Sequence, residues 1–394
     1  MNKAIVIGGV HHNTLGIIRG LGIKGVRPDV YIVTKTGTSG SVKSKFINDT
    51  LVFENDDLML KKLIKDAYKY NKDKAVLFAA GDSISAIIDR NYDKLKDSYV
   101  FFNSKGTLHQ WMNKEKMCSL ASAIGLTVPQ HMVYRIGNPL PVDIQFPCIT
   151  KAISSIDGGK SDTTICKSRE ELETFLATPG LCPLIQIERF IQKQIEFQFI
   201  GVSLDEGETI VIPGHSHIDR PNGIQNTYFF NYIANDTTFT ETLEKAKRFI
   251  REVKYSGLFS VEFIRGEDGV DYFLEMNFRN DGNAICVTDA GYDLPYIWYL
   301  WATGDDYKTE INQSRFTPVC YCPELFYVLQ CAYGEVPFFT LVKDILKANS
   351  FTNYYKGDSP RFWPKFLWFA FKQLAIKKNL IRLGIMHAPK ESIG

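Results

Sequence analysis

Three polar side chains alternate along one short segment of the chain. Glu275, Asn277 and Arg279 lie two residues apart in FLEMNFRNDGNA, residues 273–284. In an extended strand, residues at this spacing point to the same face of a sheet. A carboxylate, an amide and a guanidinium would then share one surface, which is a set of groups that can hold a metal ion and stabilise developing negative charge.

The residues before this segment predict its partner strand. Two β-rich runs flank Asp268-Gly269, which is the strongest short hairpin signal. If these two residues form the turn, counting back from it places Glu262 opposite Glu275. Facing carboxylates repel each other, and a hard cation between them removes that repulsion, while Asn277 adds a neutral oxygen ligand. The pattern predicts a Mg²⁺ site at Glu262, Glu275 and Asn277, which would also accept Mn²⁺; an exposed hairpin face with scattered charge is the alternative.

The composition is that of an ordinary globular protein. The chain has 394 residues, of which 45% are hydrophobic and 23% charged, and its formal net charge is +2, which gives no sign of a nucleic-acid partner. The eight cysteines form no C-x-x-C motif, and we find neither a signal peptide nor an apolar run long enough to cross a membrane. We therefore expect a cytoplasmic protein with reduced thiols.

The elements that must position the polar segment fall into three regions. Residues 1 to about 105 alternate strand-like and helix-like runs, which predicts a parallel α/β sheet. A glycine-rich turn at residues 8–16 follows the first strand; it does not fit G-x-G-x-x-G, so a nicotinamide site is disfavoured. This turn either offers backbone N–H groups to an anion or is purely structural. The middle region, up to about residue 305, alternates less regularly and predicts an α+β domain.

The C-terminal region contains a basic, aromatic segment. Residues 361–383 carry six Lys/Arg and no acidic residue, together with six aromatic residues. Read as a helix, the segment has a narrow polar stripe within a wide apolar face. Such a helix packs on its own protein or lies peripherally on an anionic membrane surface, and the sequence leaves both alternatives open.

Five motifs in order resemble the ATP-grasp superfamily, over roughly residues 105–305. They are NKEKMCSLASAIGLTVP (113–129), FPCITK (146–151), SSIDGGKSD (154–162), IQIERFIQKQIEF (185–197) and EMNFR (275–279). The second is similar to the family's F-P-x-x-x-K strand, the third to its glycine-rich lid and the last to its E-x-N-x-R motif. The resemblance implies an N-terminal pre-ATP-grasp α/β domain at 1–105 and an α+β ATP-grasp domain at 106–305. The latter would divide into a flexible part at about 106–185 and a metal-binding part at about 186–305, followed by a C-terminal extension at 306–394.

The resemblance also implies roles for individual residues. Lys114, Lys151 and Lys160 would contact the phosphates of ATP. Glu188 and the backbone near Ile191 would meet the adenine edge. The resemblance further places Glu196 on the ribose, Glu262, Glu275 and Asn277 on Mg²⁺, and Arg279 on the reacting group as the catalytic residue.

The implied activity is that of a carboxylate–amine ligase that uses Mg-ATP and forms an acyl phosphate before the amide. Its substrates would be a small carboxylate and an amine, and the acceptor an amino acid or a cell-envelope precursor. Asn13, Asp82 and Arg220 are candidate substrate contacts. His215 and His217 are either substrate contacts or ordinary loop residues. The alternatives are an ATP-binding partner protein without turnover and a kinase that stops at phosphoryl transfer. A homo-oligomer is compatible with all three.

Overall fold

The computed structural model describes residues 2–35, 42–102, 107–154, 162–218, 229–332, 336–355, 357–358 and 368. Within these residues the chain forms three β-sheets. The predicted class, an α/β region followed by an α+β region, is confirmed. No helix in the described ranges is long and apolar enough to cross a membrane.

The N-terminal sheet is parallel and has the strand order β3-β2-β1-β4-β5. Its elements are β1 (Ala4–Gly8), α1 (His12–Ile23), β2 (Asp29–Val33), β3 (Asp49–Phe53), α2 (Asp56–Asp66), β4 (Ala75–Ala79), α3 (Asp82–Arg90), α4 (Tyr92–Leu95) and β5 (Tyr99–Val100). The central strands β1 and β4 are buried along their whole length, as their continuous apolar sequences require. The loops that begin α1 and α3 follow β1 and β4, so both helices begin at the carboxyl edge of this sheet, where α/β proteins place their sites.

A small antiparallel sheet follows, with the order β6-β9-β7-β8. Its region contains α5 (Leu108–Trp111), α6 (Lys114–Ala123), β6 (His131–Arg135), β7 (Cys148–Ala152), β8 (Thr164–Cys166), α7 (Arg169–Leu176) and β9 (Leu184–Arg189). Helix α7 covers one face through a separate apolar cluster that includes Leu172 and Ile187. The other face carries Lys151, Gln186 and Glu188, because residues two apart on a strand share a face.

The largest sheet has the order β15-β14-β10-β12-β13-β16-β17, with β11 paired to β10. Its region contains β10 (Lys193–Leu204), β11 (Thr209–Val211), β12 (Gly214–Ile218), β13 (Phe230–Ala234), α8 (Thr240–Val253), β14 (Gly257–Gly266), β15 (Asp271–Asn277), α9 (Ile285–Asp289), α10 (Leu294–Thr303), α11 (Tyr307–Gln313), β16 (Val319–Cys322), α12 (Glu324–Ala332), α13 (Phe338–Lys347) and β17 (Ser350–Phe351). Strands β16 and β17 come from the C-terminal region. Because β16 pairs with β13, the C-terminal region forms one edge of the largest sheet.

The β14–β15 hairpin differs from its predicted geometry in two places that offset each other. The prediction of a two-residue turn was wrong. The backbone N–H of Gly266 donates to the backbone oxygen of Val270, and Gly269 adopts φ +77°, so the loop has three residues. This shifts the pairing by one position. A β-bulge then restores it, since Phe263 faces Phe273 while Glu262 faces Glu275.

The bulge decides which side chains share a face. Phe273 and Glu275 are two residues apart, yet the extra residue between them directs Phe273 into the core beside Phe263, and Glu275 to the opposite side. Met276 also lies in the core, opposite Val261. The strand therefore buries its apolar residues and still presents Glu275 and Asn277 on one polar face.

Candidate active site

A polar row crosses three strands of the largest sheet. Gln198 on β10 pairs with Glu262 on β14, which in turn pairs with Glu275 on β15. Burial, followed by the neighbouring charge of Glu275, raises the pKa of Glu262 to about 8. The Nδ2 of Asn277 donates to Oε1 of Glu262 at 2.9 Å. The row thus concentrates acidic oxygen atoms that favour a cation.

Lys114 supplies a positive charge to this row from the start of α6. Its Nζ donates to Oε2 of Glu275, and this charge is the main reason that the pKa of Glu275 is lowered. Burial by itself would lower the pKa of Lys114, but the carboxylates of Glu275, Glu262 and Glu188 outweigh it and raise that pKa. The backbone N–H of Lys114 donates to Ile153 at 2.9 Å, which fixes α6 to the end of β7.

A second lysine–carboxylate pair lies on the small sheet. Lys151 Nζ donates to Oε1 of Glu188 at 2.8 Å, and Gln186 Nε2 donates to its Oε2 at 2.9 Å. Glu188 is only 4% exposed, so its charge needs both partners. The charge of Lys114 lowers the pKa of Glu275 most, burial opposes this effect, and the positive charge of Lys151 lowers the pKa further. The two pairs therefore form one electrostatic unit.

The connection between β9 and β10 joins the small sheet to the largest one. Ile191 lies in this connection and is buried. Glu196 follows on β10, and Lys193 Nζ approaches its Oε2 at 3.4 Å. Two predicted nucleotide contacts therefore lie in or just after the connection that joins the two sheets.

Arg279 links the polar face to the N-terminal domain. Its Nε donates to Oδ1 of Asp82 at 3.1 Å, its Nη2 to Oδ1 of Asn277 at 3.1 Å, and its Nη1 to the backbone oxygen of Asn280 at 3.1 Å. Burial alone would lower the pKa of Arg279; the charges of Asp82, Asp281 and Glu262 outweigh it and raise that pKa. The guanidinium therefore stays charged while its three donor directions are fixed.

The glycine-rich turn of the N-terminal domain meets the same place. Asn13 Nδ2 donates to the backbone oxygen of Asn280 at 3.3 Å, and Asn280 Nδ2 returns a bond to the backbone oxygen of Asn13 at 3.1 Å. A Cβ added to Gly282 would lie 2.5 Å from Nε2 of His12. Burial, then the charges of His11 and Arg279, lower the pKa of His12 well below its usual value, so its imidazole is neutral.

The residues of this site that sequence reasoning missed are Gln198, Ser260, Lys193, His12, Asn280 and Asp281. Ser260 Oγ donates to Oδ2 of Asp281 at 2.8 Å and accepts from Asn277 at 3.3 Å, so it holds the amide in place. Asn280 and Asp281 directly follow the EMNFR motif. Their position in FRNDGN was the one available signal for them.

Some predicted residues are not brought to the site. His215 and His217 pair with Phe199 and Phe197, on the sheet face opposite Gln198. His215 is buried against Phe199 and Phe239, so it is a core residue. Lys160, Arg220 and residues 361–383 lie outside the described residues, apart from Trp368.

The donor set of the polar face is of the kind that magnesium binds together with phosphate. In the described ranges no group of three or more His, Cys, Asp or Glu side chains could hold a metal ion. Glu262 and Glu275 instead offer two facing carboxylates, and Mg²⁺ commonly takes one or two carboxylates together with substrate phosphates. The carbonyl oxygen of Asn277 accepts one hydrogen bond from Arg279, which leaves its second lone pair for a metal.

Most residues of this site lie in a segment that matches a known family. Residues 119–281 match the sequence model of the ATP-grasp domain. A formate-dependent phosphoribosylglycinamide formyltransferase from Chlorobium phaeobacteroides is 24% identical over 212 residues, 52% of this chain and 53% of the relative. The chain thus spans about half the length of that curated relative.

Solved structures of other proteins share the fold. An L-amino acid ligase from Bacillus licheniformis superposes with a TM-score of 0.60 at 14% identity, covering 80% of this chain and 78% of the ligase. The biotin carboxylase domain dimer of Hydrogenobacter thermophilus 2-oxoglutarate carboxylase, in complex with MgADP, ADP and bicarbonate, gives a TM-score of 0.59 at 17% identity, covering 81% of this chain and 74% of that one.

Proposed function

We propose, on the premise that the chain contains an ATP-grasp domain, that it is an ATP-dependent ligase that joins a carboxylate to an amine. One observation supports this above the others. The facing carboxylates Glu262 and Glu275 share their polar face with Asn277, and Arg279 extends from that face to Asp82 of the N-terminal domain. A nucleotide side and a substrate side therefore meet at one guanidinium.

The reaction class follows from the chemistry of a carboxylate. A free carboxylate is a poor acyl donor because an oxide or hydroxide would have to leave. Transfer of the γ-phosphoryl group of ATP to a carboxylate oxygen gives an acyl phosphate and ADP. Attack of an amine on the acyl carbon then forms the amide and releases phosphate and a proton. Such transfers depend mainly on positioning and on neutralisation of charge.

The lysines act on the nucleotide side. Lys114 and Lys151 would exchange their carboxylate partners for phosphate oxygens, as the resemblance implies for them and for Lys160. Glu188 and the backbone at Ile191 would hold the adenine edge, and Glu196 the ribose hydroxyls. All of these except Lys160 lie within the described residues.

Glu262, Glu275 and Asn277 would hold the metal of Mg-ATP. When bound, Mg²⁺ would supply positive charge that offsets the charge of the phosphates. Glu262 must release its proton to serve as a ligand, and a neighbouring cation favours that release. Lys114 would leave Glu275 at the same time and remain close enough to neutralise phosphate.

Arg279 would act on the substrate side. Its fork can bind two oxygens at once and so stabilise the acyl phosphate and the tetrahedral intermediate. Asp82 and Asn13 lie next to it and are the proposed contacts of the carboxylate or amine substrate, with Arg220 as a further candidate. An amino acid or a cell-envelope precursor is the proposed acceptor.

A screen of acid and amine pairs tests this function. Purified protein with Mg-ATP is incubated with each pair, ADP release is measured, and the products are identified by mass spectrometry. We expect ADP release that depends on both substrates and an amide of the corresponding mass. A stable phosphorylated product without an amide would identify a kinase instead, and ATP binding without turnover by any pair would favour a binding protein.

A further inference from the structure

Helix α13 presents an apolar face to solvent. Phe338, Phe339, Val342 and Leu346 are 63%, 83%, 39% and 81% exposed. Their spacing places them along one side of the helix. The opposite side is held by the protein, since Leu341 is buried in a cluster with Tyr327. The exposed apolar residues therefore belong to an element that is fixed in place.

The charges on α13 follow the same division. Lys343 and Lys347 are exposed next to the apolar side chains, whereas the one acidic residue of the helix, Asp344, accepts a hydrogen bond from the hydroxyl of Tyr327. The six exposed positions of α13 are thus four apolar and two cationic residues. Lysine is depleted at protein–protein interfaces, but phenylalanine and leucine flanked by lysine are typical of helices that lie in a lipid headgroup region.

The sequence that follows α13 adds charge of the same sign. Residues 361–383 carry six Lys/Arg and no acidic residue. The chain is anchored shortly before them, because the buried Arg19 donates to the backbone of Thr352 and Asn353 and to Asp358. This strongly cationic stretch therefore begins three residues after a point that is fixed to α1.

We propose that the exposed face of α13 docks peripherally on an anionic lipid surface. Phe338, Phe339, Val342 and Leu346 would enter the headgroup region, and Lys343 and Lys347 would pair with lipid phosphates or carboxylates. The positive charge of residues 361–383 would add attraction that acts over about 10 Å at ordinary ionic strength. This interaction is independent of the ligase reaction and needs neither ATP nor a substrate.

Vesicle sedimentation of the full chain tests the proposal. We expect binding to phosphatidylcholine vesicles that contain phosphatidylserine, weak binding to pure phosphatidylcholine, and release at high salt. The double variant Phe339→Ser/Leu346→Ser keeps every charge and should lower the partition coefficient by about tenfold or more, given the apolar area it withholds from the lipid. A matched control, Tyr68→Ser/Val142→Ser, removes residues that are 70% and 94% exposed elsewhere and should bind as the wild type does.

Three outcomes would overturn the proposal. Wild-type protein that ignores anionic vesicles has no lipid-docking face, and a double variant that binds like the wild type excludes α13 from it. Light scattering that shows a wild-type dimer and a monomeric variant, without vesicle binding, would make this face an interface between two copies. Circular dichroism checks that each variant is folded, and Phe339→Ser alone replaces the double variant if it is not. None of these readouts depends on turnover, so the proposed ligase function stands or fails separately.

Discussion

Replacing Glu275 by glutamine removes one of the two facing carboxylates while it keeps the size of the side chain. Lys114 loses its main partner, which costs about 1.5–3 kcal/mol of the free energy of unfolding, the range for a hydrogen bond to a charged group. Part of this loss is offset, because Glu262 no longer faces a second negative charge. The informative quantity is therefore the shift in melting temperature that the ligand induces within each variant. The melting temperature of the variant without ligand is not informative.

The expected shift can be calculated from linkage. Mg-ATP at about 100 times its dissociation constant stabilises the folded state by about 2.7 kcal/mol. A chain of this length has an unfolding entropy of about 0.8 kcal/mol/K, so the wild-type melting temperature should rise by about 3 °C. In Glu275→Gln, the metal loses one of its two carboxylates, and the part of the shift that depends on Mg²⁺ should vanish.

The assay is thermal unfolding with ATP alone and with ATP plus MgCl₂, for the wild type and the variant. Glu267→Gln is a matched control, since Glu267 lies in the turn of the same hairpin and is exposed. Its Mg²⁺ response should equal that of the wild type. An undiminished Mg²⁺ response in Glu275→Gln would show that the polar face does not hold the metal, and the assignment of Glu262 and Asn277 would fail with it.

Three further variants separate the roles proposed here. Arg279→Lys keeps one charge but cannot reach three partners, so amide formation should fall about 100-fold or more while Mg-ATP stabilisation stays; Arg265→Lys on the same hairpin is the control, and normal turnover would remove Arg279 from the chemistry. Gly282→Ala should push a Cβ toward His12 and lower turnover without a change in Mg-ATP binding, and weakened Mg-ATP binding would contradict the separation of the two sides. Burial raises the pKa of Asp293 from 3.8 to about 7, so the folded state keeps a proton that the unfolded chain releases, and stability falls as the pH rises from about 4 to 7. Urea unfolding of Asp293→Asn should show a smaller fall between pH 5 and pH 8, by up to about 2.6 kcal/mol, and an unchanged slope would refute this reading.

The sequence identified the elements of the site better than their connections. Local patterns sufficed for α6, which begins at Lys114 and ends before Gly125, where φ is +87°. They also sufficed for the two strands around Ile191. The pairing of Glu262 with Glu275 was predicted, but from a turn that was one residue too short. Asp-Gly is compatible with two- and three-residue loops, since both place a glycine at positive φ. The choice depends on Asp268, which would need a positive φ in the two-residue turn and does not adopt one.

Long-range contacts were beyond local patterns. Nothing near Val319 or Ser350 indicates that β16 pairs with β13 or that β17 pairs with β16. The contact of Arg279 with Asp82 joins residues 197 positions apart. Such partners are fixed by packing of the N-terminal sheet against α10, seen in the edge-on contact of Phe78 with Trp298 at 5.0 Å. Periodicity within one segment carries no information about that packing.

The bulge between Phe273 and Glu275 gives strand β15 one residue to spare. Deleting Leu274 would leave Phe273 opposite Phe263 and Glu275 opposite Glu262, so both faces of the hairpin would keep their side chains. Deleting Met276, only two positions further, would move Asn277 into the apolar interior and carry Arg279 away from Asp82. The protein should therefore tolerate deletion of Leu274 and not deletion of Met276. Measuring the activity of single-residue deletions along β15 would locate the bulge.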